Sequence, residues 1–505
     1  MRGDQLSLPE PEVLLMGGLL AAAALTLLAN DLAGRGLVEG YAVLAWLFMG
    51  TAFAYWGYCY YVRPVRLGLW TVLLVSTAVF FAAGGVVGPR STGVSSLRVG
   101  YAVQALLLLA VGLSAARAGF RLVSPAGGVG LRKAAVCGRI QATRPVVVLA
   151  LAGVIWALRA YAASQGLVLS HAGDIMTEVG TGASIAIQLS LLGRPLIVML
   201  GAVLAMDRRP ARRTLGLLIV GGELLFSVLW ARRLLLDIIV ALLLVGIWTG
   251  RRLSLRRVAV YAAIAAFTTF VMWPFMFHLR TVADQAGIYG SDFTSRSDTL
   301  LHQVIPEALA TFDWADSFSA DSPYLENVHD RTRMIDLLLD IAQSHHEGTP
   351  VMRGEVFAAA LVSTIPRFIW PNKERVMAVE TWQVEELIEQ HFGLPLIDMA
   401  STVLTHGYAD GGVLGVILYM AGFGLALGFC ERFLGGARSA LIGLAAYAMG
   451  MSLAVQVEGN VTDVLAVGRV VLALVVFDRV AGRWLERSVT VRRRAPSLTR
   501  PRWAT

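Results

Sequence analysis

The sequence predicts an all-α integral membrane protein of about twelve transmembrane helices, with one large, partly helical external loop before the last three spans. Three observations predict it. Hydrophobic residues make up 56% of the 505 and charged residues only 15%, both displaced from soluble averages in the direction a bilayer requires. Apolar runs long enough to cross a hydrocarbon core recur along the chain. Between Arg280 and Asp410, finally, the chain carries 20 Asp and Glu against 8 Lys and Arg. Backbone of that polarity does not face lipid unless it packs in protein or lines a wet cavity.

The expected spans lie at 12 to 29, 37 to 57, 67 to 86, 99 to 115, 146 to 164, 183 to 206, 214 to 230, 234 to 249, 258 to 278, 411 to 430, 439 to 457 and 464 to 480. They give four regions: a membrane domain over 1 to 278, a loop subdomain over 279 to 410, a second membrane segment over 411 to 480, and a basic tail over 481 to 505. Arginine placement orients them, because Lys and Arg in short loops are retained on the cytoplasmic side. Arg63 and Arg66, the basic loop 117 to 144, the turn 207 to 213, the segment 251 to 257 and the segment 432 to 438 all fall on one side if both termini do. Arg492, Arg493 and Arg494 place the tail there too. The first run reads as a retained span, since its leader mixes Arg2 with Asp4, Glu10 and Glu12 and no clear small-x-small cleavage site follows.

The net charge of +8 is then a basic cytoplasmic face minus an acidic external loop. It argues for anionic lipid headgroups and against nucleic acid. Cys59, Cys137 and Cys430 all fall at or beyond the cytoplasmic boundary, so no disulfide framework serves the loop. No internal repeat, Gly-rich nucleotide loop, His-Cys metal spacing or G-x-S-x-G elbow occurs, and the scheme below calls for no cofactor. His345-His346 reads as a solvated helix end.

Within the loop, 331 to 345 and 379 to 391 place apolar residues at helical spacing, with Trp382 a candidate interface anchor. The segment 355 to 365 is nearly all apolar and stops at Pro366, so it reads as an interfacial or re-entrant helix. It leads into Ile365-Pro366-Arg367-Phe368-Ile369-Trp370-Pro371-Asn372-Lys373, where two prolines forbid a continuous helix and hold two cations close together. Asp398, Ser401, Thr402 and Thr405 recur at i, i+3, i+4 and i+7, a polar stripe with His406 near the same face, running into the tenth span.

Three charges fall inside spans. Arg194 and Glu223 sit near the middles of consecutive antiparallel spans, so a buried pair is expected. Arg469 lies inside the last span and can pair with Glu458 or Asp463, or face a cavity holding an anionic ligand.

With these residues in place, the second half of the chain resembles the bacterial O-antigen and exopolysaccharide polymerases, the oligosaccharide repeat-unit polymerases with many spans and one large periplasmic loop. The resemblance rests on the segment 365 to 373, on Tyr408-Ala409-Asp410-Gly411-Gly412-Val413-Leu414-Gly415 entering the tenth span, and on Arg232-Arg233 opening a span. Members often carry Glu shortly before the tyrosine-to-glycine segment, where this chain offers His406. The resemblance implies the inner membrane, cytoplasmic termini and a periplasmic loop. It also implies transfer of a growing glycan from one polyprenyl pyrophosphate to the repeat unit on another, without a metal. Its partners would be the polyprenyl-pyrophosphate-linked glycan, membrane lipids, a flippase and a chain-length regulator.

The departing lipid pyrophosphate develops negative charge, which the paired donors of arginine meet. Arg232, Arg233, Arg280, Arg367, Lys373 and Arg469 are the candidate ligands, and His406 or Asp398 the candidate base for the acceptor hydroxyl. Each has a plainer reading as well: headgroup anchors for the cations, a buried structural histidine, a helix-capping aspartate. An O-antigen ligase-like or other glycosyltransferase using the same donor, a transporter or flippase, and a noncatalytic envelope subunit remain as alternative functions. The absence of repeats and the polar loop late in the chain weigh against transport.

Overall fold

The computed structural model describes residues 52, 55–56, 67–87, 96–124, 129–164, 181–230, 234–249, 263, 267, 271–287, 298–317, 334–365, 370, 384–394, 401–457 and 459–489. Among them the chain is all-helical and holds no strand. Two helices, Gln104–Val123 and Val403–Gly436, are long and apolar enough to cross a membrane by length and composition. Shorter apolar helices include Pro145–Tyr161, Leu192–Ala205, Leu235–Trp248 and Ala440–Val455.

Helices occupy nine of the twelve expected intervals, at Leu69–Val87, Ser96–Val123, Pro145–Ser164, Thr181–Ala205, Pro210–Trp230, Leu234–Trp248, Val403–Gly436, Ala440–Val455 and Val461–Val489. Most of the intervals 12 to 29, 37 to 57 and 258 to 278 lies outside the described residues, as does the tail beyond 489. The last helix runs nine residues past the expected end of its span at 480, because Asp478, Gly482, Glu486 and Val489 form one face that is held by neighbours. Many helices turn large apolar side chains outward, among them Val146, Leu149, Leu217, Leu218, Leu225, Leu414 and Leu418. A soluble fold rarely tolerates this on several helices at once.

The chain divides into two compact units. The first comprises Met1–Gly127, Asn327–Arg432 and Leu453–Leu472. Within it, Met334–His346 packs on Ser96–Val123 and Leu69–Val87, and Glu355–Thr364 packs on Val384–Phe392. Ser96–Val123 meets the long Val403–Gly436 helix backbone to backbone: a Cβ on Gly424 would lie 1.9 Å from the Ala116 carbonyl oxygen, and one on Gly119 2.2 Å from that of Ala421. Small residues spaced by four, Gly424 and Gly428, are the means by which apolar helices approach this closely. The N-terminus of Leu69–Val87 is closed by Glu431, whose Oε2 accepts from Leu69 N at 2.8 Å.

The second unit comprises Gly128–Glu326, Phe433–Ser452 and Ala473–Thr505. Its core holds the expected Arg194–Glu223 pair, with Arg194 Nε 3.3 Å from Glu223 Oε2. The pair belongs to a larger network. Arg159 Nη1 lies 3.1 and 3.0 Å from the two Glu223 oxygens, Trp156 Nε1 donates to Oε1 at 2.9 Å, Arg194 Nη1 lies 2.8 Å from Asp237 Oδ2, and Ser452 Oγ donates to that oxygen at 3.1 Å. Five helices thus converge on two cations and two anions, none more than 5% exposed at its side chain. Burial without charge balance would be prohibitive there, so the stoichiometry is as important as the contacts. Nearby, the Lys133 ammonium sits over the Trp248 and Tyr447 rings at 5.5 and 5.9 Å, and those rings meet edge to face. A separate helical pair, Trp273–Gln285 with Ile305–Thr311, closes over Leu279, Val282, Ala283, Val304 and Ala308.

Candidate functional site

The helix that carries the tenth expected span, 411 to 430, is broken at the first two residues of that span. Backbone angles leave the helical region at Gly411 (φ −146°, ψ 18°) and Gly412 (φ 59°, ψ −141°), which splits Val403–Gly436 into a two-turn segment and a long helix. Gly412 lies in the left-handed region that glycine alone enters without strain. The two pieces then fold against each other: a Cβ on Gly415 would lie 1.9 Å from the Gly407 carbonyl oxygen. The sequence expectation of a polar stripe running straight into the span is corrected accordingly. Ser401 and Thr402 precede the helix, and they are buried with Thr405 and His406 rather than lining an open face. Thr402 instead caps the helix, its Oγ1 accepting from Thr405 N at 3.1 Å while Thr405 Oγ1 accepts from Thr402 N at 2.7 Å. This is the reciprocal arrangement of a capping box.

A break in a helix frees carbonyls that would otherwise bond four residues on. Here the loop residues before Gly354 use them. Met352 N donates to the Ala409 carbonyl at 3.0 Å and Arg353 N to the Asp410 carbonyl at 2.8 Å. Gly354 follows at φ 100° as the N-cap of the Glu355–Thr364 helix, and having no side chain it cannot cap that helix itself. Asp410 supplies the cap from 56 residues away in sequence: Oδ1 accepts from Gly354 N at 2.7 Å and Val356 N at 3.1 Å, Oδ2 from Phe357 N at 3.3 Å. The Tyr419 hydroxyl donates to the same Oδ2, and its ring meets Phe357 edge to face. Four donors leave the Asp410 carboxylate an anchor, not a free base.

The other end of this helix is held by a cation. Arg469, half-buried on the last helix, donates through Nη1 to the Thr364 carbonyl. That carbonyl is one of the unsatisfied acceptors at a helix C-terminus, where positive charge is favoured. The helix whose end leads into Pro366 and Arg367 is therefore fixed by a carboxylate at its positive pole and a guanidinium at its negative pole. Glu355–Thr364 matches the expected helix at 355 to 365, and its arrest before Pro366 is as expected.

His406 is fully buried, and neither ring nitrogen has a hydrogen-bond partner among the described residues. A buried polar group left unmet costs about 1–3 kcal/mol, a cost His406 shares with Trp70 Nε1 and Trp248 Nε1 among the described residues. Two residues further on, Tyr408 accepts from Gln104 Nε2 at 2.9 Å and faces the exposed His345 ring edge-on at 6.4 Å. His345 also contacts the Thr349 carbonyl at 2.8 Å, and His346 is exposed beside it, as expected of a solvated helix end.

Of the residues singled out from sequence, His406 and Arg469 lie in the first unit, Arg469 at one end of the helix whose other end is held by Asp410, four residues beyond His406. Arg280 is half-buried on Trp273–Gln285 in the second unit. Arg232, Arg233, Arg367, Lys373 and Asp398 lie outside the described residues. Two residues of this region escaped the sequence reading. Asp410 was visible only as a letter in the glycine-flanked segment, although an acidic residue followed by two glycines inside an apolar run signals a break. Arg353 carries φ 54°, the one positive φ of a non-glycine residue among those described, and its side chain is exposed. A non-glycine residue held there marks a turn the surrounding bonds over-determine.

Comparison of the chain with protein-family models, curated proteins and solved structures finds no match.

Proposed function

We propose that the chain is a polymerase of lipid-linked oligosaccharide repeat units in bacterial surface polysaccharide synthesis. On this reading it crosses the inner membrane about twelve times, with both termini cytoplasmic and residues 279 to 410 periplasmic. The observation that carries it is the mounting of the Glu355–Thr364 loop helix on a broken membrane-type helix, four residues from a buried, unmet histidine. A break at the entry to a span leaves irregular backbone and charge at the membrane surface, where a ligand can meet them.

Contacts between distant segments agree with the proposed sidedness. Glu431 meets Leu69, and Arg438 and Ser439 meet Asp478, all at positions assigned to the cytoplasmic side. Arg469, near the outer end of the last span, meets Thr364 of the external loop.

In the transfer, the acceptor hydroxyl oxygen bonds to the anomeric carbon of the donor glycan as the bond from that carbon to the pyrophosphate breaks. The lipid pyrophosphate leaves with the bonding pair. Arg367 and Lys373 neutralise its charge. His406 is the candidate to take the acceptor proton, a role that requires the acceptor hydroxyl to reach a ring whose burial lowers its basicity.

The test is the polymer made by cells lacking the native gene and supplied with variants. Arg367→Lys keeps charge and loses the donor fork, so long polymer should disappear while the protein reaches the membrane in normal amount. Long polymer from both Arg367→Lys and Arg367→Ala removes Arg367 from the mechanism. A single transfer product instead of a ladder would make the enzyme a ligase, and glycan movement with no new bond a flippase.

A further inference from the structure

We infer that Asp410 and Arg469 are a pair of positioning residues, whose joint task is to fix the Glu355–Thr364 helix so that the chain leaves Thr364 at one place and in one direction. This rests on the polymerase reading for its purpose, and on the geometry alone for the clamp.

An isolated ten-residue helix is marginal in water. This one buries only Val356, Ala359 and Ala360 of its apolar side chains, while Phe357 and Leu361 remain 44% and 47% exposed. Packing alone therefore fixes it weakly. Its ends are better defined than its faces: three N–H groups at one end converge on Asp410, and a terminal carbonyl at the other is met by Arg469. The two signs match the helix macrodipole, negative at the N-terminus and positive at the C-terminus. The clamps stand on different helices, Val403–Gly436 and Val461–Val489, so they fix both the position and the direction of the helix axis. At 1.5 Å per residue the clamped span is about 15 Å, and a tilt about one end would swing the residue after Thr364 by several ångströms. A displacement of about 1 Å at a reacting group is enough to cost a large factor in rate.

The pair also accounts for the arginine. If Arg469 acts by donating to a carbonyl beside a negative helix end, an ammonium can replace it. If it gripped pyrophosphate through paired donors, lysine could not.

The experiment uses the full-length protein in lipid nanodiscs and the same variants in gene-deleted cells. Amide hydrogen exchange should rise about tenfold in the 354–364 amides for both Asp410→Asn and Arg469→Gln, with the Ser96–Val123 helix unchanged. In cells these variants should shorten the polymer at normal membrane abundance, and Arg469→Lys should restore both protection and length. Unchanged exchange would overturn the clamp. Raised exchange with full-length polymer would overturn its role in the transfer, and failure of Arg469→Lys alongside intact helix protection would return Arg469 to the ligand set. If deleting the gene leaves the polymer intact, the polymerase reading fails and so does the purpose given to the pair, while the exchange result still decides the clamp.

Discussion

Removing Arg194 tests the buried network of the second unit most sharply. In the intact protein two guanidiniums face two carboxylates, and the cluster is electroneutral at under 6% side-chain exposure. Arg194→Ala leaves a net charge of −1. Glu223 keeps Arg159 at 3.0 Å and Trp156 at 2.9 Å, so the loss falls mainly on Asp237, which keeps the Ser452 hydroxyl at 3.1 Å but loses a guanidinium at 2.8 Å. Breaking one side of a buried pair costs about 3–5 kcal/mol, most of it the uncompensated charge. The remedy should follow the same logic. Arg194→Met with Asp237→Leu restores neutrality with apolar groups of similar size, and should recover to within about 1–2 kcal/mol of wild type. Thermal unfolding of purified protein and abundance in membranes measure both. A wild-type melting profile for Arg194→Ala, or a double variant as damaged as the single, would refute the view that charge balance is what the cluster provides.

Two further outcomes concern the first unit. Gly424→Ala places a methyl group 1.9 Å from the Ala116 carbonyl and should destabilise by about 1–3 kcal/mol in thermal unfolding, whereas Gly422→Ala, with nothing within 4 Å, should be neutral or gain slightly in helix propensity. Arg353→Gly relieves a backbone at φ 54° and should hold or raise stability by up to about 1 kcal/mol, while Arg353→Val should lose about 1–3 kcal/mol; denaturation midpoints of the two against wild type decide it.

What the sequence made legible was whatever depends on runs of apolar residues or on depth. The intervals now occupied by Leu69–Val87, Pro145–Ser164 and Ala440–Val455 follow from apolar length alone, and Arg194 with Glu223 from matched depth in neighbouring helices. Asp237 and Arg159 were missed for a physical reason. Each lies near the end of its apolar run, where a charge reads as reaching for the interface, and only the packing of helices turns them inward. The site was less legible than the fold because its essential bonds join side chains to backbone. Asp410 meets N–H groups of 354 to 357, and Arg469 meets a carbonyl, neither of which leaves a residue-type signature at the partner.

That preference for backbone partners recurs and constrains where chemistry can reside. Glu431 closes the start of Leu69–Val87, and its carboxylate approaches so closely that a Cβ on Gly68 would lie 2.3 Å from Oε1. Asp478 accepts from Arg438 N at 2.8 Å and Ser439 N at 2.9 Å, and Glu486 from Ala440 N at 2.9 Å, closing the start of Ala440–Val455. Asp410 does the same for Glu355–Thr364. Apolar side chains pack against one another or against lipid with little preference for register, whereas a carboxylate aimed at a helix's positive end fixes both register and direction. Acidic residues within apolar segments of this chain are thus accounted for in two ways, Glu223 and Asp237 as partners of buried arginines and the others as caps of neighbouring helices. Glu431, Asp478 and Asp410 are each explained in that way, and none is left over as a proton acceptor. His406 is not explained in that way: it is fully buried, and neither ring nitrogen is bonded among the described residues.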